Sequence, residues 1–176
     1  EEEQVRGAQA LLDALDSLDI DSLPTHRTVS GRVVRGGGGI VPDRLVRGDT
    51  LTDGERVFVR ALGGNVAAYR DALVGAALTI KERRLVTAEG FTVTPAMRQL
   101  VLDRLAAKDV RLTDLEVAGA ADFIDDQLGY EVARYVFGRQ AELRRRGLDD
   151  AQVRHAVELL RGARTPGELM AQITGR

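Results

Sequence analysis

Phe123-Ile124-Asp125-Asp126-Gln127-Leu128-Gly129-Tyr130-Glu131-Val132-Ala133-Arg134-Tyr135-Val136-Phe137 is the stretch that decides the fold. Ile124, Leu128, Val132 and Val136 recur every four residues, and Phe123, Tyr130 and Phe137 every seven. Both spacings lay side chains along one side of a helix, so together they make one broad apolar face. The pattern predicts one long helix over 114–146. Arg144-Arg145-Arg146 stands at its end, where cations suit the helix dipole, and Gly147 terminates it.

Working outward, the flanking sequence also reads as helices. Thr52-Asp53-Gly54-Glu55 has the form of a capping box and starts a helix to about Leu62. Gly63-Gly64 breaks it, and Asn65 is placed to cap a longer helix to about Leu85. Phe91-Thr92-Val93 reads as short and extended. Thr94-Pro95 starts a helix, with proline at its first position, to about Lys108. Asp149 or Asp150 caps a helix to Arg161, and Thr165-Pro166-Gly167-Glu168 is a second capping box before a last helix to about Ile173. At the front, Val5, Ala8, Leu11, Leu12, Leu15 and Leu18 mark an amphipathic helix over 4–18, which Pro24 closes off.

Residues 25–47 have a different character. His26-Arg27-Thr28-Val29 and Arg32-Val33-Val34-Arg35 are β runs either side of a Ser30-Gly31 turn. Gly36–Gly39 is a bend, and 40–46 reads as a third short strand. The fold class is therefore mainly α: a helical array with a small N-terminal β-hairpin and glycine-rich strand segment. We read 1–176 as a single domain, with a helix and connector over 1–24, the β segment over 25–47 and the helical region over 52–174.

Composition narrows the chemistry. With no cysteine, disulfides, thiol catalysis and thiolate metal sites are absent. A net charge of −2 offers no field for nucleic acid, and four phenylalanines and three tyrosines without tryptophan are too few for base stacking. No apolar run is long enough to span a bilayer. The chain opens Glu1-Glu2-Glu3, without methionine or signal sequence, which reads as processed or incomplete ends and leaves an export signal or anchor open.

The candidate sites are weak. Ser17, Ser22 and Ser30 lack a nucleophile-elbow context, and His26 facing Ser30 across the hairpin is a bare pair. Gly36–Gly39 leads into Ile40-Val41-Pro42, not the Gly-Lys-Ser/Thr and helix of a phosphate loop. A calcium loop from Asp49 would place Leu51 and Arg60 where oxygen ligands belong. Asp125-Asp126 and Asp149-Asp150 are adjacent and do not face each other on a helix. Neither His26 nor His155 has a second ligand three or four residues on. No catalytic, metal or cofactor-binding residue is expected. The arginines of the C-terminal third, interleaved with Glu142, Asp149, Asp150 and Glu158, read as a salt-bridged solvated face.

One segment is distinctive. Gly31-Arg32-Val33-Val34-Arg35-Gly36-Gly37-Gly38-Gly39-Ile40-Val41-Pro42-Asp43 resembles a GR-x-V-x-GGGGI-x-PD segment of the carboxy-terminal processing (tail-specific) serine peptidases. Residues 127–138 and 150–153 resemble the helical tail of that family's bacterial branch, and the likeness covers about 26–173. The family's serine nucleophile, lysine base and PDZ domain lie upstream of the glycine segment, so the resemblance carries no catalytic residue onto this chain. It implies a periplasmic location and a glycine segment that closes a sheet of the protease core.

The expectation is a non-catalytic interaction protein, an accessory or scaffold subunit of a bacterial envelope assembly. Its partners would be proteins, with no nucleic acid and no transmembrane segment; peripheral membrane association stays open. The alternative is the C-terminal part of an active endopeptidase whose Ser/Lys core lies upstream. Val29, Arg32, Val33, Val34, Gly36, Gly37, Gly38, Gly39, Ile40, Pro42 and Asp43 are the candidate docking residues, acting by strand addition or surface packing.

Overall fold

The computed structural model describes residues 24–29, 31–36, 43, 44, 46, 48 and 50–174. The helix expected over 4–18 lies outside them. So does most of the third strand expected over 40–46, of which Asp43 and Arg44 form a bend. Two short strands, β1 (Thr25–Arg27) and β2 (Val33–Arg35), pair antiparallel. Helices follow: α1 (Asp53–Leu62), a 3₁₀ turn (Gly63–Asn65), α2 (Val66–Glu82), α3 (Pro95–Ala106), α4 (Asp114–Gly119) and α5 (Ala121–Val132). A π turn (Ala133–Phe137) leads to α6 (Arg139–Asp149), α7 (Ala151–Arg161) and α8 (Pro166–Thr174). The chain is mainly α with one small hairpin.

Contacts divide the chain into two compact units. Gly48–Arg154 is one; the residues before it group with His155–Arg176. The first unit has a continuous core. α2 supplies Ala72, Ala76, Ala77 and Ile80, all closed to solvent, and α3 and α5 pack against it. Val101 and Leu105 come from α3, and Ile124, Leu128 and Val132 from α5. The four-residue series of the deciding stretch thus faces the core. Phe58 of α1 closes one end, edge-on to Tyr69 at 5.4 Å and to Phe123 at 6.2 Å.

Local chemistry explains most helix starts. Thr52 accepts from the Glu55 N–H (3.3 Å), and the Glu55 carboxylate accepts from the Thr52 N–H (2.6 Å), completing the box. Thr94 accepts from the Met97 N–H, and Asp150 accepts from Gln152 and Val153. Thr113 and Glu116 form a second full box that sequence reading missed. At Thr165 the box is half made, since the Glu168 carboxylate accepts from the Arg164 N–H instead. Asn65 caps nothing with its side chain, because the 3₁₀ turn carries the chain from α1 into α2.

The long helix expected over 114–146 is three helices. α4 stops at Gly119, where α1 crosses so closely that a Cβ on Gly54 would clash with the Gly119 carbonyl oxygen. Gly138, at φ +97°, reverses the chain in a conformation open to glycine. α6 then runs back along α5, and it continues through Gly147 to Asp149. Residues 91–94 form a loop, not a strand.

α2 and α3 both close with paired hydrogen bonds of the Schellman type. Leu85 donates to Ile80 (3.0 Å) and Arg84 to Lys81 (3.1 Å); Val110 donates to Leu105 and Asp109 to Ala106 (both 3.0 Å). The left-handed position, usually glycine, holds Arg84 (φ 52°) and Asp109 (φ 60°).

Replacing Gly54 by alanine forces α1 and α4 apart, and should cost about 1–3 kcal/mol in urea unfolding. Gly147→Ala, on α6 with nothing within 4 Å of a new Cβ, should instead gain about 0.5 kcal/mol. Arg84→Gly should gain about 1 kcal/mol by relieving the left-handed backbone.

Candidate docking hairpin and the charged contacts of the helical unit

The hairpin turns on Thr28 and Gly31. The Gly31 N–H donates to the Thr28 carbonyl (2.9 Å), and Gly31 takes φ +81°. Thr28 donates to the Arg32 carbonyl (2.8 Å), and the Arg32 N–H returns to the Thr28 hydroxyl (3.1 Å). This is a three-residue loop with a left-handed last residue, which matches the right-handed twist of the strands. The register pairs Thr25 with Arg35, His26 with Val34 and Arg27 with Val33. Beyond the ladder, the Gly36 N–H donates to the Pro24 carbonyl (3.1 Å).

Among the expected docking residues, Val29 is fully exposed at the turn and Val33 is half exposed on β2. Val34 lies in the ladder. Arg32 reaches Asp43 at 2.6 Å, so two residues eleven apart in sequence meet. Its guanidinium also stands 3.7 Å from the Met170 sulfur of α8. Gly37, Gly38, Gly39, Ile40 and Pro42 lie outside the described residues, as does Ser30, the proposed partner of His26. Neither β1 nor β2 has a second strand partner among the described residues.

The helical unit carries the rest of the polar chemistry; the Arg146–Glu142 pair is one that the interleaved charges predict, while the long-range partners of Arg104, Arg144 and Arg145 are not foreseen by them. Two arginines lie over glycines. Arg104 donates to the Thr79 hydroxyl (2.7 Å) and the Leu100 carbonyl (3.1 Å), and a Cβ on Gly75 would come within 2.7 Å of its Nε. Arg145 donates to the Phe91 carbonyl (3.0 Å), covers the Phe91 ring at 4.6 Å and fills the space over Gly129. The run Arg144–Arg146 is therefore not a uniform solvated face. Arg144 grips Glu89 bidentately (2.8 and 2.9 Å). Arg146 pairs with buried Glu142 at 3.0 Å and covers the Tyr130 ring at 4.2 Å.

The acidic residues of α5 respond to this setting. Burial raises the Asp125 carboxyl above its usual range; Arg98, 3.3 Å away, opposes the shift, and Asp122 and Asp126 add to it. Burial also raises Asp126, with repulsion from Asp149, Asp122 and Glu55 against the pull of Arg145. Burial raises the Tyr130 hydroxyl, as does its hydrogen bond to Asp149. Glu116 moves the other way, lowered by the Thr113 N–H and hydroxyl. Arg98 to Asp125, Arg104 to Thr79 and Arg145 to the Phe91 carbonyl link separate elements. Among the described residues, no group of three or more His, Asp or Glu side chains is placed to hold a metal ion. No described helix is long and apolar enough to cross a membrane.

Comparison with protein-family models, curated proteins and solved structures finds no match to this chain.

A carboxyl raised in the folded state binds its proton more tightly there than in the unfolded chain. Its contribution to stability is complete below the ordinary aspartate range and is lost as pH rises through the raised value. Asp126→Asn should therefore raise the melting temperature relative to wild type at about pH 7 more than at about pH 3. An equal shift at both pH values, in a thermal scan, would contradict this account of Asp126.

Proposed function

We propose that this chain is a non-catalytic docking module of the carboxy-terminal processing peptidase type, working on a protease core whose Ser/Lys pair stands elsewhere. The observation that carries this reading is the β1/β2 hairpin. It has three paired positions and no further strand among the described residues. A lone two-stranded hairpin is marginal in water, and its free edges accept further strands. The likeness of 31–43 to the family's glycine segment supports a core sheet as the acceptor.

Magnitudes favour a core on the same polypeptide. Strand addition along three residues contributes two or three backbone hydrogen bonds, at about 0.5–1.5 kcal/mol net each. That falls well short of the roughly 8 kcal/mol of a micromolar complex. Within one chain the effective concentration is of millimolar order, which lowers the requirement to roughly 4 kcal/mol, the top of what two or three such bonds supply. This is the C-terminal part of an endopeptidase, shaping or bracing the core.

A second reading is an accessory subunit of a bacterial envelope assembly, in the periplasm. The self-contained core of Gly48–Arg154 favours it, since that unit has what it needs to fold without a protease attached.

Mass spectrometry of the native protein under mild detergent separates the two. A longer polypeptide with the core in frame supports the first reading; a mass near 19 kDa with stoichiometric companions supports the second. In either case, deleting 26–47 should abolish association with the core while the helical unit's melting temperature stays put. Undiminished association after that deletion would sink the docking proposal.

A further inference from the structure

Within the helical unit, α6 is held by charge where α2, α3 and α5 are held by apolar burial. None of its residues belongs to the hydrophobic core, and only Ala141 and Glu142 are buried. Its two leucines, Leu143 and Leu148, are exposed. Arg144 grips Glu89 at 2.8 and 2.9 Å, and both side chains are about half exposed. Arg145 donates to the Phe91 carbonyl and lies over the Phe91 ring. Arg146 covers the Tyr130 ring, and the Tyr130 hydroxyl donates to Asp149.

The chain enters α6 through a break in regular structure. The π turn Ala133–Phe137 departs from α-helical hydrogen bonding, and Gly138 follows at φ +97° and ψ 173°, with no side-chain cap on the helix it starts. No continuous helical ladder joins α5 to α6, so rotation at this point strains none.

We propose that α6 is an ion-latched arm. It swings out about Gly138 as a unit of its own, while α2, α3 and α5 stay packed, and uncovers an apolar face of Phe91, Gly129 and Tyr130. That face is preformed: Phe91 stacks on Phe137 at 6.2 Å, and Tyr130 is buried beneath Arg146. Exposed ion pairs are weak holds, and salt weakens them further. The screening length falls from about 10 Å at 0.1 M to about 3 Å at 1 M. The apolar contacts of α2, α3 and α5 are not subject to that screening. A helix of 11 residues is marginal in water by itself, so a detached α6 unwinds and exchanges its amide hydrogens. The inference rests on the helical unit alone and stands apart from the docking reading above; either can fail without the other.

Amide exchange on the full chain reads the arm directly. In the unaltered protein at about 0.1 M sodium chloride, α6 should exchange roughly tenfold or more faster than α2 and α5. Raising the salt to about 1 M should speed α6 about threefold and leave α2 and α5 unchanged. Glu89→Gln should have a similar effect at the lower salt. The native chain has no cysteine, so Glu89→Cys/Arg144→Cys supplies a lock. Joined within one chain by a short bis-maleimide, it should slow α6 about tenfold or more relative to the same variant unjoined. Exchange of α6 as slow as that of α2 and α5, or indifferent to salt, would overturn the proposal. So would acceleration of all three helices together, the mark of a single cooperative unit. A joined variant whose α6 exchanges as fast as the unjoined one would overturn it in favour of unwinding in place.

Discussion

The helical unit depends on how closely helices can approach α2. Its inner face is made of alanines, with Ala72, Ala76 and Ala77 closed to solvent and Ile80 at the far end. Small side chains let α3 and α5 sit against the same helix, so Val101, Leu105, Ile124, Leu128 and Val132 meet around it in one buried cluster. Interiors pack at crystal-like density, and a methylene added or removed there is felt throughout. The aromatic end plate of Phe58, Tyr69 and Phe123 follows from that arrangement, because α1 can close the open end only when the helices behind it are in place.

Arginine takes a structural part in this chain that lysine could not. Gly75 and Gly129 each leave a site the width of a guanidinium, filled by Arg104 and Arg145. The planar group lies over the glycine and sends its N–H donors to fixed acceptors, the Thr79 hydroxyl and Leu100 carbonyl in one case and the Phe91 carbonyl in the other. A compact ammonium lacks both the plane and the fork. The arginine excess, which composition alone leaves ambiguous, is at these places part of the packing.

Features whose cause is local in sequence could be read from it. The Thr52–Glu55 box, the Thr94-Pro95 start, the turn at Gly31 and the buried face of Ile124, Leu128 and Val132 all depend on residues within one or two turns of one another. The breaks in the long helical stretch do not. Gly119 ends α4 because Gly54, far upstream, crosses there; Gly138 reverses a chain whose apolar spacing runs on unbroken through Phe137. The ends of α2 and α3 escaped because Arg84 and Asp109 stand where glycine usually signals a stop. At the docking segment the same division holds. The β pairing follows from Val33-Val34 and the turn, but the meeting of Arg32 with Asp43 joins residues eleven apart that no local pattern pairs.

The unequal burial of the two units has a consequence for how the molecule ages. Proteases cut where a segment can peel away, and peeling is opposed by the apolar surface it must expose. Gly48–Arg154 would have to surrender its core to be cut within the helices that build it. The hairpin and α8, with no buried side chain among their described residues, offer little such resistance. Exposed to a protease, the chain would lose the hairpin and α8 before its helical unit, and a trimmed remnant holding α1 to α6 would outlast the parent.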